Sequence, residues 1–311
     1  MTRVGAIDCG TNTIKLLIAD LDPTSGEEHQ LVREMRIVRL GQHVDRTGRL
    51  ADEAVARTLA AVDEYAALLA EHHVDVLRFC ATSASRDAAN AEDFRAGVRA
   101  RLGVDPEVLT GDEEAALAYD GATRSLGGAT LARPFLVVDI GGGSTELVLG
   151  PASGIDGPSA ARSLDIGSVR MTERLMPSDP PTASEVEAAT EAIDSALDTL
   201  PGFDVDVSRA GTVVGVAGTI TTLATLLRGL DHWDRDAIHQ ATFPLTDVHA
   251  LTQRLLGMTT RERIALHVPE GRADVIAAGG LVLDRVLRRT RVDSLLVSDA
   301  DILDGIAWSR A

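Results

Sequence analysis

Two short segments carry the residue types and spacing that chemistry needs. Asp8-Cys9-Gly10-Thr11-Asn12-Thr13 follows the apolar run Val4-Gly5-Ala6-Ile7 and leads into a second run from Ile14 to Asp20. Asp139-Ile140-Gly141-Gly142-Gly143-Ser144-Thr145 follows Phe135-Leu136-Val137-Val138 and leads into Glu146-Leu147-Val148-Leu149-Gly150. Both read as strand, polar turn, strand, with Asp-x-Gly where the first strand ends. One such segment is an ordinary β-hairpin. Two copies, each opening a domain-sized stretch, indicate a duplicated fold with a cleft between its halves. Glycine lets a backbone approach a ligand closely, successive N–H groups in such a turn form an anion nest, and Ser and Thr hydroxyls add donors. The carboxylates of Asp8 and Asp139 repel a phosphate directly, so they make sense with Mg²⁺ between acid and phosphate oxygen.

The elements that must position these turns alternate between helix and strand. Apolar residues recur at helical spacing from Asp52 to Ala70, and Val74 to Ala81 reads as a strand. Thr82 to Asp87 reads as a polar turn before a helix from Ala91 to Leu102, and Val104 to Leu109 as a short strand. Thr110-Gly111-Asp112-Glu113-Glu114 opens an Ala-rich helix with an N-cap and acids in its first turn. Gly127-Gly128 to Pro134 is the linker candidate. Beyond it come a strand from Arg162 to Ile166, a helix start at Thr172-Glu173-Arg174, and a helix from Thr182 to Leu200. Val213 to Ala217 is a buried-type strand feeding Gly218-Thr219; a helix from Arg272 to Arg288 and a late strand Leu295 to Val297 follow. The expected fold is mixed α/β. Its domains are residues 1–128 and 129–311, and the last helix, about 300–311, docks back on the first.

Composition narrows the class. The chain has 311 residues, 45% hydrophobic and 25% charged, an ordinary globular balance. Acids exceed bases 47 to 30, a formal charge of -17. That argues against a nucleic-acid polymer as partner, which calls for a basic face. Cys9 and Cys80 have no metal-type spacing. No apolar run of about 18 residues predicts a membrane span, and the N-terminus turns polar too soon for a signal peptide. A cytoplasmic setting is the expectation.

Several ordered blocks resemble the exopolyphosphatase and guanosine pentaphosphate phosphohydrolase family. Asp8 to Leu16 is similar to its first phosphate loop, D-x-G-S-N-S-x-R-L, with Thr11 and Thr13 in place of Ser and Lys15 in place of Arg. Ala81 to Asn90 resembles its A-T-S-A-x-R-D-A-x-N block, Thr110 to Ala115 its S-G-x-E-E-A block, and Val138 to Glu146 its second phosphate loop. Gly167 to Glu173, Gly215 to Thr219 and Gly271 to Ile276 supply further matches. The resemblance implies two ribonuclease H-like domains of the actin, sugar-kinase and Hsp70 superfold. It implies hydrolytic release of terminal phosphate from inorganic polyphosphate, with a phosphorylated guanosine nucleotide or a nucleoside triphosphate as the alternative substrate. A non-catalytic alarmone sensor is the reading from a different class. A homodimer is also implied.

On that resemblance Glu114 is the general base, with Glu113 its competitor, since neighbours on a helix point about 100° apart. Asp8, Asp139 and Glu146 position Mg²⁺. Thr11, Asn12, Thr13, Lys15, Arg86, Gly141, Gly142, Gly143, Ser144, Gly218 and Thr219 hold the substrate, with Arg170 and Arg272 as weaker candidates. Lys15 is the sole lysine of the chain; it keeps the charge of the usual Arg without its bidentate geometry. His72-His73 reads as a solvated helix end, and His232-Trp233-Asp234 lacks companions for a metal-dependent His-Asp site.

Overall fold

The computed structural model describes residues 1–126, 131–151 and 157–311. Two compact units divide the chain: Met1–Gly121 with Ile302–Ala311, and Ala122–Asp301. The boundary expected at 128/129 and the Gly127-Gly128 start of the linker lie outside the described residues. Among the described residues no helix is long and apolar enough to cross a membrane.

The first unit is built on a sheet of β1 (Thr2–Cys9), β2 (Thr13–Asp22), β3 (Glu27–Ile37), β4 (Val76–Ala81) and β5 (Glu107–Val108), in the order β3-β2-β1-β4-β5. Strands β1, β2 and β3 form an antiparallel meander; β4 runs parallel to β1, and β5 parallel to β4. The second unit holds β6 (Phe135–Ile140), β7 (Thr145–Gly150), β8 (Ala160–Leu164), β9 (Thr212–Val216), β10 (Thr242–Pro244) and β11 (Ser294–Val297), ordered β10-β11-β9-β6-β7-β8. Its meander β6-β7-β8 is followed by β9 parallel to β6 and β11 parallel to β9. The order β8-β7-β6-β9-β11 thus repeats β3-β2-β1-β4-β5 strand for strand and direction for direction. The second unit adds β10, antiparallel, on its edge.

Alternation along β1 decides which side chains reach the chemistry. Ile7 and Cys9 enter a core with Ala61, Val62 and Tyr65 of the helix Asp52–Glu71 and Phe94 and Val98 of the helix Ala91–Leu102. Val4 and Ala6 enter a second core with Ala118 of the helix Gly111–Arg124 and Ile302, Leu303 and Ile306 of the closing helix Ile302–Trp308. Successive strand residues face opposite sides. Asp8 therefore lies on the face covered by the helix that bears Glu114. In the second unit Leu136, Val138 and Ile140 of β6 pack with Ile193 of the helix Ala183–Leu197 and with Ile276 to Leu287.

Three local expectations are corrected. Thr82 to Asp87 is not a plain turn: a short helix, Ser83–Asp87, starts there. The helix expected from Arg272 to Arg288 is two, Glu270–Ala273 and Ile276–Leu287, broken at Asp274-Val275. The helix after Gly167 starts at Ser168 rather than Thr172, because the amides of its first residues have carbonyl partners close by.

Candidate active site

The two polar turns share one backbone pattern. Cys9 pairs with Ile14 and Asp8 with Lys15 across the first; Ile140 pairs with Thr145 and Asp139 with Glu146 across the second. Gly10 N–H donates to the Thr13 carbonyl at 2.9 Å, and Gly141 N–H to the Ser144 carbonyl at 3.0 Å. The turns thus correspond without insertion: Asp8 to Asp139, Gly10 to Gly141, Thr13 to Ser144, Lys15 to Glu146.

Their carbonyls are held from one side. In the first turn Thr11 C=O accepts from Gly41 N–H (2.8 Å), and Asn12 C=O from Val38 and Arg39 N–H (3.0 and 2.9 Å). In the second, Gly141 C=O accepts from Ser168 N–H (2.9 Å), Gly142 C=O from Val169 and Arg170 N–H (2.9 and 3.1 Å), and Gly143 C=O from Gly167 N–H (3.2 Å). In a trans peptide the C=O of one residue and the N–H of the next point in opposite directions. Anchoring these carbonyls therefore aims the N–H groups of Asn12 and Thr13, and of Gly142, Gly143 and Ser144, the other way. That is the geometry of an anion nest. The anchors must come close: a Cβ on Gly41 would meet Thr11 Cγ2 at 2.4 Å, and one on Gly167 would meet the Gly142 backbone at 2.4 Å. Gly41 was not visible as a site residue from its own neighbourhood, Leu40-Gly41-Gln42; its bond to the Thr11 carbonyl and its close approach to the Thr11 side chain are what identify it.

The charges of the two turns differ. Lys15 Nζ lies 3.4 Å from Asp8 Oδ2, so the first turn carries a neutralised pair. At the equivalent positions of the second turn stand two carboxylates, Asp139 and Glu146, both buried. Directly opposite residues on antiparallel strands hold their Cβ atoms about 4.5–5.5 Å apart. Ser163, opposite Glu146 on β8, donates its hydroxyl to Glu146 Oε1 at 2.6 Å and orients it. A pair of hard oxygen donors beside an amide nest fits Mg²⁺, which takes one or two carboxylates together with phosphate oxygens. Within either unit alone, no three His, Cys, Asp or Glu side chains converge among the described residues.

The adjacent acids at the start of the helix Gly111–Arg124 have separate duties. Glu113 Oε2 accepts from Thr110 N–H (2.9 Å) and Thr110 Oγ1 (2.8 Å), while Thr110 Oγ1 accepts from Glu113 N–H (3.2 Å). This reciprocal cap holds the Glu113 carboxyl below its ordinary pKa, the Thr110 backbone bond being the main cause. Glu114 is 7% exposed and turns inward, its Oε2 3.4 Å from Arg86 Nη1. The same Arg86 nitrogen donates to the Leu109 carbonyl at 2.8 Å, tying the guanidinium to the residue before the cap. The first turn meets this block through hydroxyls, Thr11 Oγ1 and Ser83 Oγ lying 3.0 Å apart. Asn90, at the end of the block, bonds both ways with the backbone of Leu50, which is a structural duty. Cys9 and Cys80 are buried, and burial drives both thiols toward the protonated, unreactive form, Cys80 up to about 12.

Gly218 and Thr219 sit in the first turn of the helix Ala217–Leu227, entered through Ala217 at φ 66. Arg272 lies over them: its Nη1 donates to the Gly218 carbonyl and, at 2.8 Å, to Thr222 Oγ1. Burial alone lowers this guanidinium to about 10. Arg170 stands 3.7 Å from Asp165, its backbone N–H already donated to the second turn. The sequence-predicted residues thus gather in two sets. Asp8, Thr11, Asn12, Thr13, Lys15, Arg86 and Glu114 lie in the first unit; Asp139, Gly141 to Ser144, Glu146, Gly218 and Thr219 lie in the second.

Comparison with known proteins identifies the family. Residues 17–311 match the Ppx/GppA phosphatase family. Exopolyphosphatase 2 of Mycobacterium tuberculosis is 48% identical over all of this chain and 99% of its own length. The crystal structure of an exopolyphosphatase-like protein, 42% identical, superposes with a TM-score of 0.94 over 99% of this chain and 97% of that one. The Aquifex aeolicus member of the Ppx/GppA family, 32% identical, gives a TM-score of 0.81 over 99% and 97%. The chain belongs to the Ppx/GppA phosphatase family and is a phosphoanhydride hydrolase by class.

Proposed function

We propose that the chain releases the terminal phosphate of inorganic polyphosphate by hydrolysis, with Mg²⁺ as cofactor and Glu114 as general base. The observation that carries this reading is the repeated turn, in each copy of which anchored carbonyls aim that turn's own amides the other way. Phosphoryl transfer asks a protein mainly for positioning and charge stabilisation, and an amide nest supplies both for phosphate oxygens. Asn12, Thr13, Gly142, Gly143 and Ser144 present N–H groups; Thr11, Thr13, Ser144 and Thr219 present hydroxyls. Lys15 and Arg86 supply cationic charge, and Gly218 opens the helix that carries Thr219. Asp139 and Glu146 are the residues that would hold Mg²⁺. Asp8 is the weaker ligand because Lys15 already balances it. Bound Mg²⁺ supplies charge neutralisation on the phosphate oxygens.

Glu114 accepts the proton of the attacking water. Its burial and its bond to Arg86 fix the carboxylate in place. The test is phosphate release from polyphosphate with and without Mg²⁺. Glu114→Gln should lower kcat by about 10²–10⁴-fold, the usual share of general-base catalysis, with KM little changed. A Gln variant turning over at the wild-type rate would remove Glu114 from the role. Guanosine pentaphosphate as a competing substrate in the same assay ranks the two substrate classes.

A further inference from the structure

We propose that Trp233 is a stacking platform for the base of a nucleoside polyphosphate, placed beside the second phosphate turn. This rests on the phosphohydrolase reading and names a residue that would recognise the base of its alternative, nucleotide substrate. Trp233 is one of few large apolar side chains left open among the described residues, 50% exposed. Its ring is nevertheless held: Trp233 Nε1–H donates to Asp299 Oδ1 at 3.1 Å. Arg235 Nε donates to the other oxygen, Asp299 Oδ2, at 3.1 Å, and the Asp299 side chain is almost buried. Asp299 N–H in turn donates to His239 Nδ1 at 3.1 Å. One carboxylate therefore fixes the edge of the indole and the segment around it, while the ring stays open to solvent. An exposed tryptophan loose on a surface has no such mount.

Topology places this mount where a nucleotide needs it. Asp299 follows the C-terminal end of β11, Gly218 and Thr219 follow that of β9, and the turn Gly141–Ser144 follows that of β6. These three strands are parallel neighbours, so all three features lie on one edge of one sheet. The lateral step from β6 to β11 is two strand spacings, about 10 Å. That is a span suited to phosphates at the turn and a base at the ring. Inorganic polyphosphate has no flat apolar face to offer Trp233; a nucleobase has one. Base–aromatic stacking is worth about 1–3 kcal/mol by alanine substitution, which is about 5- to 150-fold in affinity.

The experiment compares GTP with tripolyphosphate on the full chain. Trp233→Ala should raise KM for GTP about tenfold and leave KM for tripolyphosphate within about twofold. Trp233→Phe, which keeps a stacking ring, should restore most of the GTP affinity. GTP should quench tryptophan emission of the wild type, and that quenching should vanish in Trp233→Phe, whose remaining Trp308 is buried in the first unit. Equal rises for both substrates, or no rise for GTP, would overturn the platform, as would quenching that survives in Trp233→Phe. A wild type that hydrolyses neither substrate would sink the phosphohydrolase reading instead; quenching by GTP that depends on Trp233 would still uphold the platform.

Discussion

At the scale of single residues, the most informative contrast is between Lys15 and Glu146. They occupy the same place in two copies of one turn, each opposite an aspartate. The first copy thereby becomes an ion pair and the second a carboxylate pair. This separates two duties that the matching motifs of Asp8 and Asp139 do not tell apart. Lys15 also has a structural consequence, because Asp8 is nearly buried beside it. Removing one member of a buried pair leaves the charge of the other less balanced; the cost is about 3–5 kcal/mol for full burial and less where one partner is partly solvated. Lys15→Ala should therefore cost about 2 kcal/mol in urea unfolding. Lys15→Arg, which keeps the charge, should stay within about 0.5 kcal/mol of wild type. Equal stability of the Ala variant would show that Asp8 does not depend on Lys15 for its charge balance.

At the scale of elements, each turn relies on a segment outside its own hairpin. The helix Ser168–Leu175 enters with its first amides against the second turn, and only a glycine at 167 lets it come that near. Gly167→Ala must displace backbone, not a flexible side chain. Overpacking of this kind costs about 1–3 kcal/mol, and the shift should loosen the carbonyl anchors. The expectation is a lower melting temperature together with a raised KM for polyphosphate; a variant with unchanged KM would break the link between anchor and nest. The turns themselves were legible because Asp-x-Gly between apolar runs is a local signal, and the helix Ala91–Leu102 was legible to the residue. Their anchors were less so, since Gly41 and Gly167 act across distance and nothing near Gly41 announces a partner at Thr11. Strand β3, Glu27–Ile37, escaped for another reason: it is an edge strand, largely solvated and rich in charge, so alternation is weak. The break at Asp274-Val275 was equally hidden, because Arg272 bonds to Gly218 and Thr222, far off in sequence.

At the scale of the molecule, the chain begins and ends in the same unit. The closing helix Ile302–Trp308 covers one face of β1 and β2, placing Ile302, Leu303, Ile306 and Trp308 against Val4, Ala6, Leu17, Ala19 and Leu21. Arg33 pairs with Asp304, and Trp308 Nε1 donates to Glu28 at 3.0 Å, fastening the helix to β3 as well. Burying an Ile or Leu side chain is worth about 1.5–3 kcal/mol, so this helix contributes on the order of 5–10 kcal/mol. That is comparable with the whole stability of a domain, about 5–15 kcal/mol. The second unit draws on its own core, in which none of these residues takes part. A chain ending at Asp301 should therefore lose amide-exchange protection over residues 1–121 while keeping it in the core strands and helices of the second unit. It should also lose phosphate release, because Glu114 and the first turn belong to the unit that opens. Protection retained in β1 and β2 of the shortened chain would mean that the first 121 residues hold their fold without the closing helix, and the energetic argument would fail.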